Sequence, residues 1–471
     1  MELKLVYRCL RQLSVWVADD YYGDIVADGE ENVPQSGPVI LAATHRNESI
    51  DVAILAVTVP HGRQVSYWAK SSLFKQPVLR WIMQSSGAIP VQRGAESAAS
   101  DANNHADGRA ASQTQADLFR ASTACLLAGG TLGVFPEGFS ATLPGPGDLR
   151  SGAAWAAVEH DRAALARAGE AEKSPPWTSA RIIPVSIVYT DAPAYRSSIL
   201  VRYGSPIVTS DFYSATVNEG DLAAQKSAVG KVVDALRLDL ETQGINAQDW
   251  ETLNAAKAVV QMRDDELSLQ VKQWLTISQL RRPHSGAAGN ERLAAAKATL
   301  ARYYALQLHT RISHADLQAL LPRLGGGRIP LVPFLARSFV TFLHASIRTM
   351  LCLPPLLVYL PAYAASVAAT AISTRPDEPE SHAQVSAIAG GLGLGVGFLS
   401  AWSAVRRVCG SHFELLVGSG STEMSRYASL VSRSRLGRLA LGYVALKTLM
   451  TWHNIFAKGM LHSASLCIIL K

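Results

Sequence analysis

The sequence predicts an α/β fold: a mixed, mostly parallel sheet covered by helices on both faces, followed by a helical appendage and a C-terminal transmembrane hairpin. Short apolar segments alternate with helical stretches over residues 31–215. Such an alternation is typical of a sheet packed between two helical layers. Near the C-terminus, two uncharged segments are each long enough to cross a hydrocarbon core, which takes about 20 helical residues.

Six segments are predicted to be strands because they are short, apolar and bounded by turn residues. They are the apolar run from Val39 up to His45 and residues 64–70, 87–93, 131–135, 181–190 and 197–203. The segments between them, at residues 52–59, 76–85, 117–128 and 151–168, have apolar residues at helical spacing. Parallel strands joined by helices follow from this order.

The remaining chain divides by composition. We expect an interfacial N-terminal helix at residues 1–30, the α/β domain at 31–215 with a mobile insertion at 94–112, a helical region at 216–325, a membrane region at 326–410 and amphipathic helices at 411–471.

The membrane region contains two predicted spans, at about residues 349–374 and 383–405. Arg348 and Arg406 flank this pair, whereas the short loop between the spans is mainly acidic. By the positive-inside rule, the flanks and the α/β domain then face the cytosol. Three prolines in the first span are expected to kink it, so a shallow, re-entrant hairpin stays an alternative.

Charge and cysteine content narrow the function classes. The 471 residues carry a formal net charge of +6, with the basic residues dispersed. This suits anionic membrane surfaces or phosphorylated substrates and gives little support to nucleic acid as a partner. The five cysteines are far apart without metal-ligand spacing, so we expect reduced thiols and no metal site.

His45 and Asp51 stand out because they follow the first predicted strand, with five residues between them. Catalytic groups collect at the carboxyl ends of strands in α/β sheets. Taken alone, the pair is a base with its orienting acid, or a loop histidine beside a helix-capping acid. Five intervening residues place the two about 120° away from a common helix face. His45 is therefore expected in the turn before the helix, with Asn47 or Ser49 as the cap.

Four stretches occur in order, each beside a predicted strand: THRNESID, GAIPVQR, FPEGFS and IIPVS. Together they resemble the four acyltransferase blocks of the glycerophospholipid acyltransferase superfamily. The five-residue gap between His45 and Asp51 resembles that of fungal-type glycerol-3-phosphate/dihydroxyacetone-phosphate acyltransferases. Two further stretches, AYRSSILVRYGSPI and DWETLNAAKAVVQ, are similar to segments of that group. Phe139, in the third stretch, departs from the small residues usual there.

The resemblance implies a role for each matching residue. His45 is the general base and Asp51 holds its ring, while Arg93 binds the acceptor's phosphate. Lys70 and Arg150 are second choices for phosphate binding because of their positions at the end of a predicted strand and the start of a predicted helix, with a solvated surface role as the alternative. Glu137, Gly138 and Ser140 shape the acceptor site, and Ile183, Pro184 and Val185 form a wall for the acyl chain, with a plain core strand as the alternative.

The implied reaction is acylation of the sn-1 hydroxyl of glycerol-3-phosphate, or of dihydroxyacetone phosphate, with acyl-CoA as co-substrate and no cofactor. The implied location is the endoplasmic-reticulum membrane. Two alternatives stay open: a lysophospholipid (lysophosphatidate) acyltransferase, and a catalytically inactive membrane scaffold with the same fold. The oligomeric state is not predicted.

Overall fold

The computed structural model describes residues 5–91, 107–170, 179–212, 222–262, 287–310, 331–373, 380–418 and 442–455, together with a few single positions between 312 and 440. The chain forms two compact units. The first comprises Met1–Val260, Asp265–Lys297 and Glu378–Gln384, and the second comprises Gln261–Asp264, Ala298–Asp377 and Val385–Lys471.

The first unit is built on an eight-stranded sheet in the order β1-β7-β6-β2-β5-β3-β4, with β8 paired to β6. The strands are β1 (Ile25–Asp28), β2 (Val39–Ala43), β3 (Val65–Lys70), β4 (Ile89–Val91), β5 (Thr131–Val134), β6 (Arg181–Tyr189), β7 (Ile199–Tyr203) and β8 (Ile207–Val208). Only β7 and β8 pair antiparallel, both with β6. The predicted mixed, mostly parallel sheet is confirmed.

Helices cover both faces of the sheet. The helices of the first unit are α1 (Leu5–Tyr21), α2 (Glu48–Thr58), α3 (Pro77–Ser86), α4 (Asp107–Leu127), α5 (Gly152–Glu170), α6 (Leu222–Gln243) and α7 (Trp250–Met262), followed by α8 (Ala287–Thr310). The connections through α2 and α3 lead across the sheet towards β4 at its edge, whereas those through α4 and α5 lead in the opposite direction, from β4 to β5 and then to β6. Because such crossovers are right-handed, α2 and α3 lie on one face and α4 and α5 on the other.

The central strand β2 is buried along its whole length, as expected for a continuous apolar run between two parallel neighbours. Its other neighbour β6 contains Pro184, which cannot donate a ladder bond. Thr44 N donates to Val185 O at 3.0 Å, so the backbone N–H and C=O of Val185 point towards β2. The backbone groups of Pro184 therefore point to the opposite side of β6. On that side β6 pairs with both β7 and β8, and between these two strands Gly204 N donates to Pro184 O at 2.8 Å. The missing N–H of Pro184 therefore removes no hydrogen bond between β6 and β2.

The structure differs from the sequence-based expectation at three elements. Strands β1 and β8 were not predicted, and both are very short. Helix α4 begins at Asp107 rather than at residue 117, so part of the predicted insertion 94–112 is helical. Residues 94–106 of that insertion lie outside the described residues.

The second unit contains two long helices, α9 (Leu331–Ser373) and α10 (Glu380–Gly418). Within them, Thr349–Ser373 and Ser381–Ala404 are long and apolar enough to cross a membrane, in agreement with the two predicted spans. Helix α9 is continuous through Pro354, Pro355 and Pro361. The side of the membrane on which the flanks lie stays a prediction.

Glycines allow α10 to approach α9 closely. A Cβ atom at Gly393 would overlap the carbonyl oxygen of Pro361, and one at Gly397 would overlap that of Val358. A Cβ atom at Gly395 would meet nothing within 4 Å. Small residues at such contacts allow helix backbones in membranes to pack tightly, which supports the predicted hairpin.

Replacing Gly397 by leucine is expected to force the two helices apart and to lower the stability of the hairpin by about 1–3 kcal/mol, the usual cost of overpacking. Thermal unfolding of the full chain in detergent, followed by circular dichroism, measures this change. Gly395→Leu is the matched control and should leave the midpoint nearly unchanged. Equal midpoints for the two variants would contradict the observed packing.

Candidate active site

His45 lies at the carboxyl edge of the sheet, two residues beyond the end of β2. Thr44 continues the pairing for one further residue, since its N–H donates to Val185 O at 3.0 Å and its Oγ1 accepts from Ile187 N at 2.9 Å. The chain then turns into α2. His45 is therefore held between a rigid strand and a helix start, as its spacing from Asp51 predicted.

Asp51 is completely buried and holds the His45 ring. His45 Nδ1 lies 2.9 Å from Asp51 Oδ2. The same oxygen accepts the backbone N–H groups of Arg46 and Asn47, both at 2.7 Å. Because these contacts stabilise an ionised carboxylate, Nδ1 is the protonated ring nitrogen. The other nitrogen, Nε2, has no hydrogen-bond partner in the described part of the chain, and the side chain is 10% exposed. Nε2 is thus available to accept a proton.

The turn before α2 is unusual in two ways. Asn47 occupies the N-cap position, as predicted, but its side chain does not cap the helix. Instead its Nδ2 donates to Tyr22 OH at 2.9 Å and to Ala192 O at 3.0 Å. Glu48 has φ of 43°, in the left-handed region that is costly for a residue other than glycine. Its N–H donates to Ser140 Oγ at 3.1 Å. Hydrogen bonds to Tyr22, Ala192 and Ser140 therefore hold the segment between His45 and Asp51 in place.

Tyr189, at the end of β6, binds the second oxygen of Asp51. Its OH donates to Oδ1 at 2.6 Å. Burial, together with the charge of Asp51, raises the pKa of Tyr189 well above its usual value, so the hydroxyl stays protonated and remains a donor. This contact joins residues far apart in sequence, and no local pattern in the chain predicted it.

Replacing Tyr189 by phenylalanine is expected to lower kcat about tenfold, with KM for the acyl donor little changed. The reason is that one charge-assisted bond to Asp51, worth about 1.5–3 kcal/mol, is lost while the residues around the substrate are kept. Steady-state kinetics of acyl transfer measure both constants.

Tyr203→Phe is the matched control, because this buried tyrosine bonds to Thr58 Oγ1 at 2.9 Å and not to Asp51. An equal loss of kcat in both variants would show that Tyr189 serves stability alone.

Glu137 connects the loop after β5 to His45. Its Oε1 accepts His45 N at 3.0 Å and its Oε2 accepts Gly147 N at 3.0 Å. The carboxylate is buried, and both of its oxygens accept backbone N–H groups. The Phe135 ring stacks on His45 with centroids 4.2 Å apart. Phe135 was not assigned a role from sequence, although it begins the FPEGFS stretch.

Arg46 is a further residue of the site that was not predicted from the sequence. Its Nη1 donates to Leu143 O at 2.7 Å, which ties the loop after β5 to the His45 turn. Burial lowers its pKa, while the nearby carboxylates of Glu137 and Asp51 oppose that shift. The sequence feature that could have indicated it is its position directly after His45, which places a cation beside the reacting groups.

The structure brings several predicted residues together at this edge. Gly138 has φ of 79°, and an added Cβ would lie 2.6 Å from Arg150 Nε, so Arg150 rests against the turn that carries Glu137. Arg150 is exposed. Lys70 ends β3, which is separated from β2 by β5, so it lies further along the same carboxyl edge. Arg93 lies outside the described residues.

The three residues predicted to form an acyl-chain wall are in the interior of the sheet. Ile183 and Val185 are fully buried in β6, and Pro184 is buried between them. Alternate residues of a strand point to opposite faces. Ile183 and Val185 therefore share one face and Pro184 faces the other. An acyl-chain wall at these positions stays a prediction.

A second histidine–aspartate pair lies at the opposite edge of the sheet. His160 Nδ1 is 2.9 Å from Asp161 Oδ1, which also accepts Ala180 N just before β6. Asp161 Oδ2 accepts the hydroxyls of Ser179 and Thr209, both at 2.5 Å. His160 and Asp161 are buried. This pair fastens α5 to the sheet and is not open to a substrate.

Among the residues that the structure describes, no group of three or more His, Cys, Asp or Glu side chains is arranged to hold a metal ion. A groove of about 780 Å³ is lined by β1 and the end of α2, and includes Val26, Glu30 and His61. Because α2 starts at the carboxyl edge, its end lies at the opposite edge from His45. The groove is therefore separate from the His45 site.

Part of this chain matches a known protein family. Residues 24–188, which lie in the first unit, match the family described as Acyltransferase. A Schizosaccharomyces pombe protein named an uncharacterized acyltransferase is 33% identical over 88 residues, which is 18% of this chain and 13% of that protein. The chain thus aligns with only a small part of that relative.

A solved structure is also similar, the 1-acyl-sn-glycerophosphate (LPA) acyltransferase PlsC from Thermotoga maritima. The identity is 17%, the match covers 50% of this chain and 79% of PlsC, and the TM-score is 0.32.

Proposed function

We propose that this chain is an acyl-CoA-dependent acyltransferase that acylates the sn-1 hydroxyl of glycerol-3-phosphate, with His45 as general base. The observation that carries the proposal is the His45–Asp51 pair. One ring nitrogen bonds to the buried carboxylate at 2.9 Å, and the other has no partner within the described residues. This pair lies in a segment that matches the acyltransferase family.

The reaction follows from this arrangement. Nε2 of His45 accepts the proton of the acceptor hydroxyl as that oxygen attacks the thioester carbonyl. Asp51 stabilises the imidazolium that forms, as the acid does in a serine-protease triad. The C–S bond then breaks, and the leaving thiolate takes the proton from Nε2. The products are the acyl ester and free CoA, and no serine nucleophile is required.

The choice of acceptor rests on the gap of five residues between His45 and Asp51. That spacing resembles fungal-type glycerol-3-phosphate/dihydroxyacetone-phosphate acyltransferases. A phosphate with nearly two negative charges needs cations near His45, and guanidinium groups bind phosphate in two-bond geometry. Arg93 is our first choice, followed by Arg150 and Lys70. Glu137, Gly138 and Ser140 would shape the acceptor site, and Ile183, Pro184 and Val185 the wall for the acyl chain.

The second unit supports the proposed cellular setting. Two helices long and apolar enough to span a membrane suggest that the chain is membrane-associated. We place it in the endoplasmic-reticulum membrane with the first unit facing the cytosol, because the predicted flanks of the hairpin are basic. The hydrophobic product would then form beside the bilayer that receives it.

The proposal is tested by offering the purified full chain one acyl-CoA with three acceptors in parallel: glycerol-3-phosphate, dihydroxyacetone phosphate and lysophosphatidate. We expect acylation of glycerol-3-phosphate, measured as lysophosphatidate by mass spectrometry. Acylation of lysophosphatidate alone would assign the chain to the lysophospholipid acyltransferases. No transfer to any of the three acceptors would favour the inactive scaffold.

A further inference from the structure

Helix α3 has an apolar outer face that none of the described residues covers. Val78 and Trp81 lie one turn apart on α3 and are 69% and 61% exposed. Leu73, in the short helix just before α3, is exposed as well. No residue of α3 is fully buried. We call the set of Leu73, Val78 and Trp81 the α3 outer face.

The charged residues in the stretch of sequence that contains this face are all basic. Between Asp51 and Glu96 the sequence contains no acidic residue. Lys75 and Arg80 are both exposed and lie beside the α3 outer face in sequence. A tryptophan with aliphatic neighbours, bordered by cations, is the composition of segments that lie at the surface of anionic bilayers.

Helix α1 extends the apolar surface. It contacts α3 and α2 on the same side of the sheet. Its residues Leu5 and Leu13 are exposed, and they are two helical turns apart, so they share one side of the helix. Arg8 lies between them and is also exposed. Two neighbouring helices therefore combine exposed apolar residues with exposed cations.

We propose that the α3 outer face docks in the headgroup region of an anionic lipid bilayer, together with the exposed residues of α1. Trp81 and Val78 enter the boundary between headgroups and acyl chains, while Lys75 and Arg80 contact lipid phosphates. The partner is a bilayer rather than a protein for two reasons. The cations have no acidic neighbours in this stretch, and the same chain contains two helices able to span a membrane.

The test uses the full chain with its native cysteines replaced and one new cysteine at a time, labelled with a nitroxide. Val78→Cys and Trp81→Cys place the label on the α3 outer face. Ala124→Cys is the matched control, because it is an exposed position on α4, on the opposite face of the sheet. Each protein is reconstituted in vesicles of phosphatidylcholine with phosphatidylserine and in vesicles of phosphatidylcholine alone. Collision with oxygen and with a water-soluble nickel chelate is measured by electron paramagnetic resonance.

In vesicles containing phosphatidylserine, labels at 78 and 81 should collide severalfold more with oxygen than with the nickel chelate, and the label at 124 should show the opposite. The protection should weaken in phosphatidylcholine alone. The proposal would be overturned if the labels at 78 and 81 collided with the nickel chelate as often as the label at 124. Protection from both reagents, in detergent as well as in vesicles, would indicate a protein partner and overturn it too. Circular dichroism in detergent checks that each labelled variant is folded, and no readout depends on acyl transfer.

Discussion

Replacing His45 by alanine should reduce acyl transfer by about 10²–10⁴-fold, the usual contribution of a general base, while the fold is retained. Asp51 keeps three of its four donors in this variant: the N–H groups of Arg46 and Asn47 and the hydroxyl of Tyr189. The bond from residue 45 N to Glu137 also remains, because it uses the backbone. The variant therefore loses the proposed base but keeps the other hydrogen bonds of the site.

The rate of CoA release and the thermal midpoint of unfolding together measure this effect. His61→Ala is the control, since His61 lies in an exposed turn after α2 and its ring has one hydrogen bond within the described residues, to Val33 O. It should retain the wild-type rate. A folded His45→Ala variant with normal turnover would refute the proposed role of His45.

Replacing Asp161 by alanine should lower the stability of the first unit by about 3–5 kcal/mol, the range for breaking a buried ionic network. The change leaves His160 Nδ1 and Ala180 N buried without their acceptor. The control is Asp117→Ala, because Asp117 pairs with Arg120 on the exposed side of α4. Exposed pairs of this kind contribute about 0–1 kcal/mol. Denaturant unfolding of both variants gives the comparison.

The effect of Asp161 should also depend on pH. Burial opposes ionisation of this carboxyl group, but bonds from His160, Ser179, Thr209 and Ala180 outweigh it and lower the pKa below the ordinary value of 3.8. A depressed pKa contributes stability that is present above the ordinary value and is lost as the pH falls through the folded-state value. The difference between wild type and Asp161→Ala should therefore be constant near neutral pH and shrink below about pH 4. A difference that grew in acid would contradict the network.

Much of the sheet could be predicted because its strands are short apolar runs with clear boundaries. The buried runs at β2, β5 and β6 agree with the expected segments to within a residue or two. Strand β1 was missed because it has four residues with only partial burial, and its pairing with β7 depends on a residue range far along the chain. The order of the strands is likewise set by contacts that a single sequence does not reveal.

The candidate site could be predicted only where its signal is local. His45 and Asp51 are close in sequence, and their spacing at a strand end correctly indicated a turn followed by a helix. Tyr189 contacts Asp51 across 138 positions, so it left no local pattern. The backbone contacts of Glu137 depend on how the loop after β5 closes on His45, which spacing alone does not define.

The central claim is that His45 activates the acceptor hydroxyl directly, so that no acyl group is ever attached to the protein. The most direct measurement is the intact mass of the full chain after incubation with acyl-CoA, with and without glycerol-3-phosphate, together with the release of CoA. We expect an unchanged protein mass in both cases and CoA release that requires glycerol-3-phosphate. An acylated protein that forms without the acceptor, at least as fast as turnover, would contradict it.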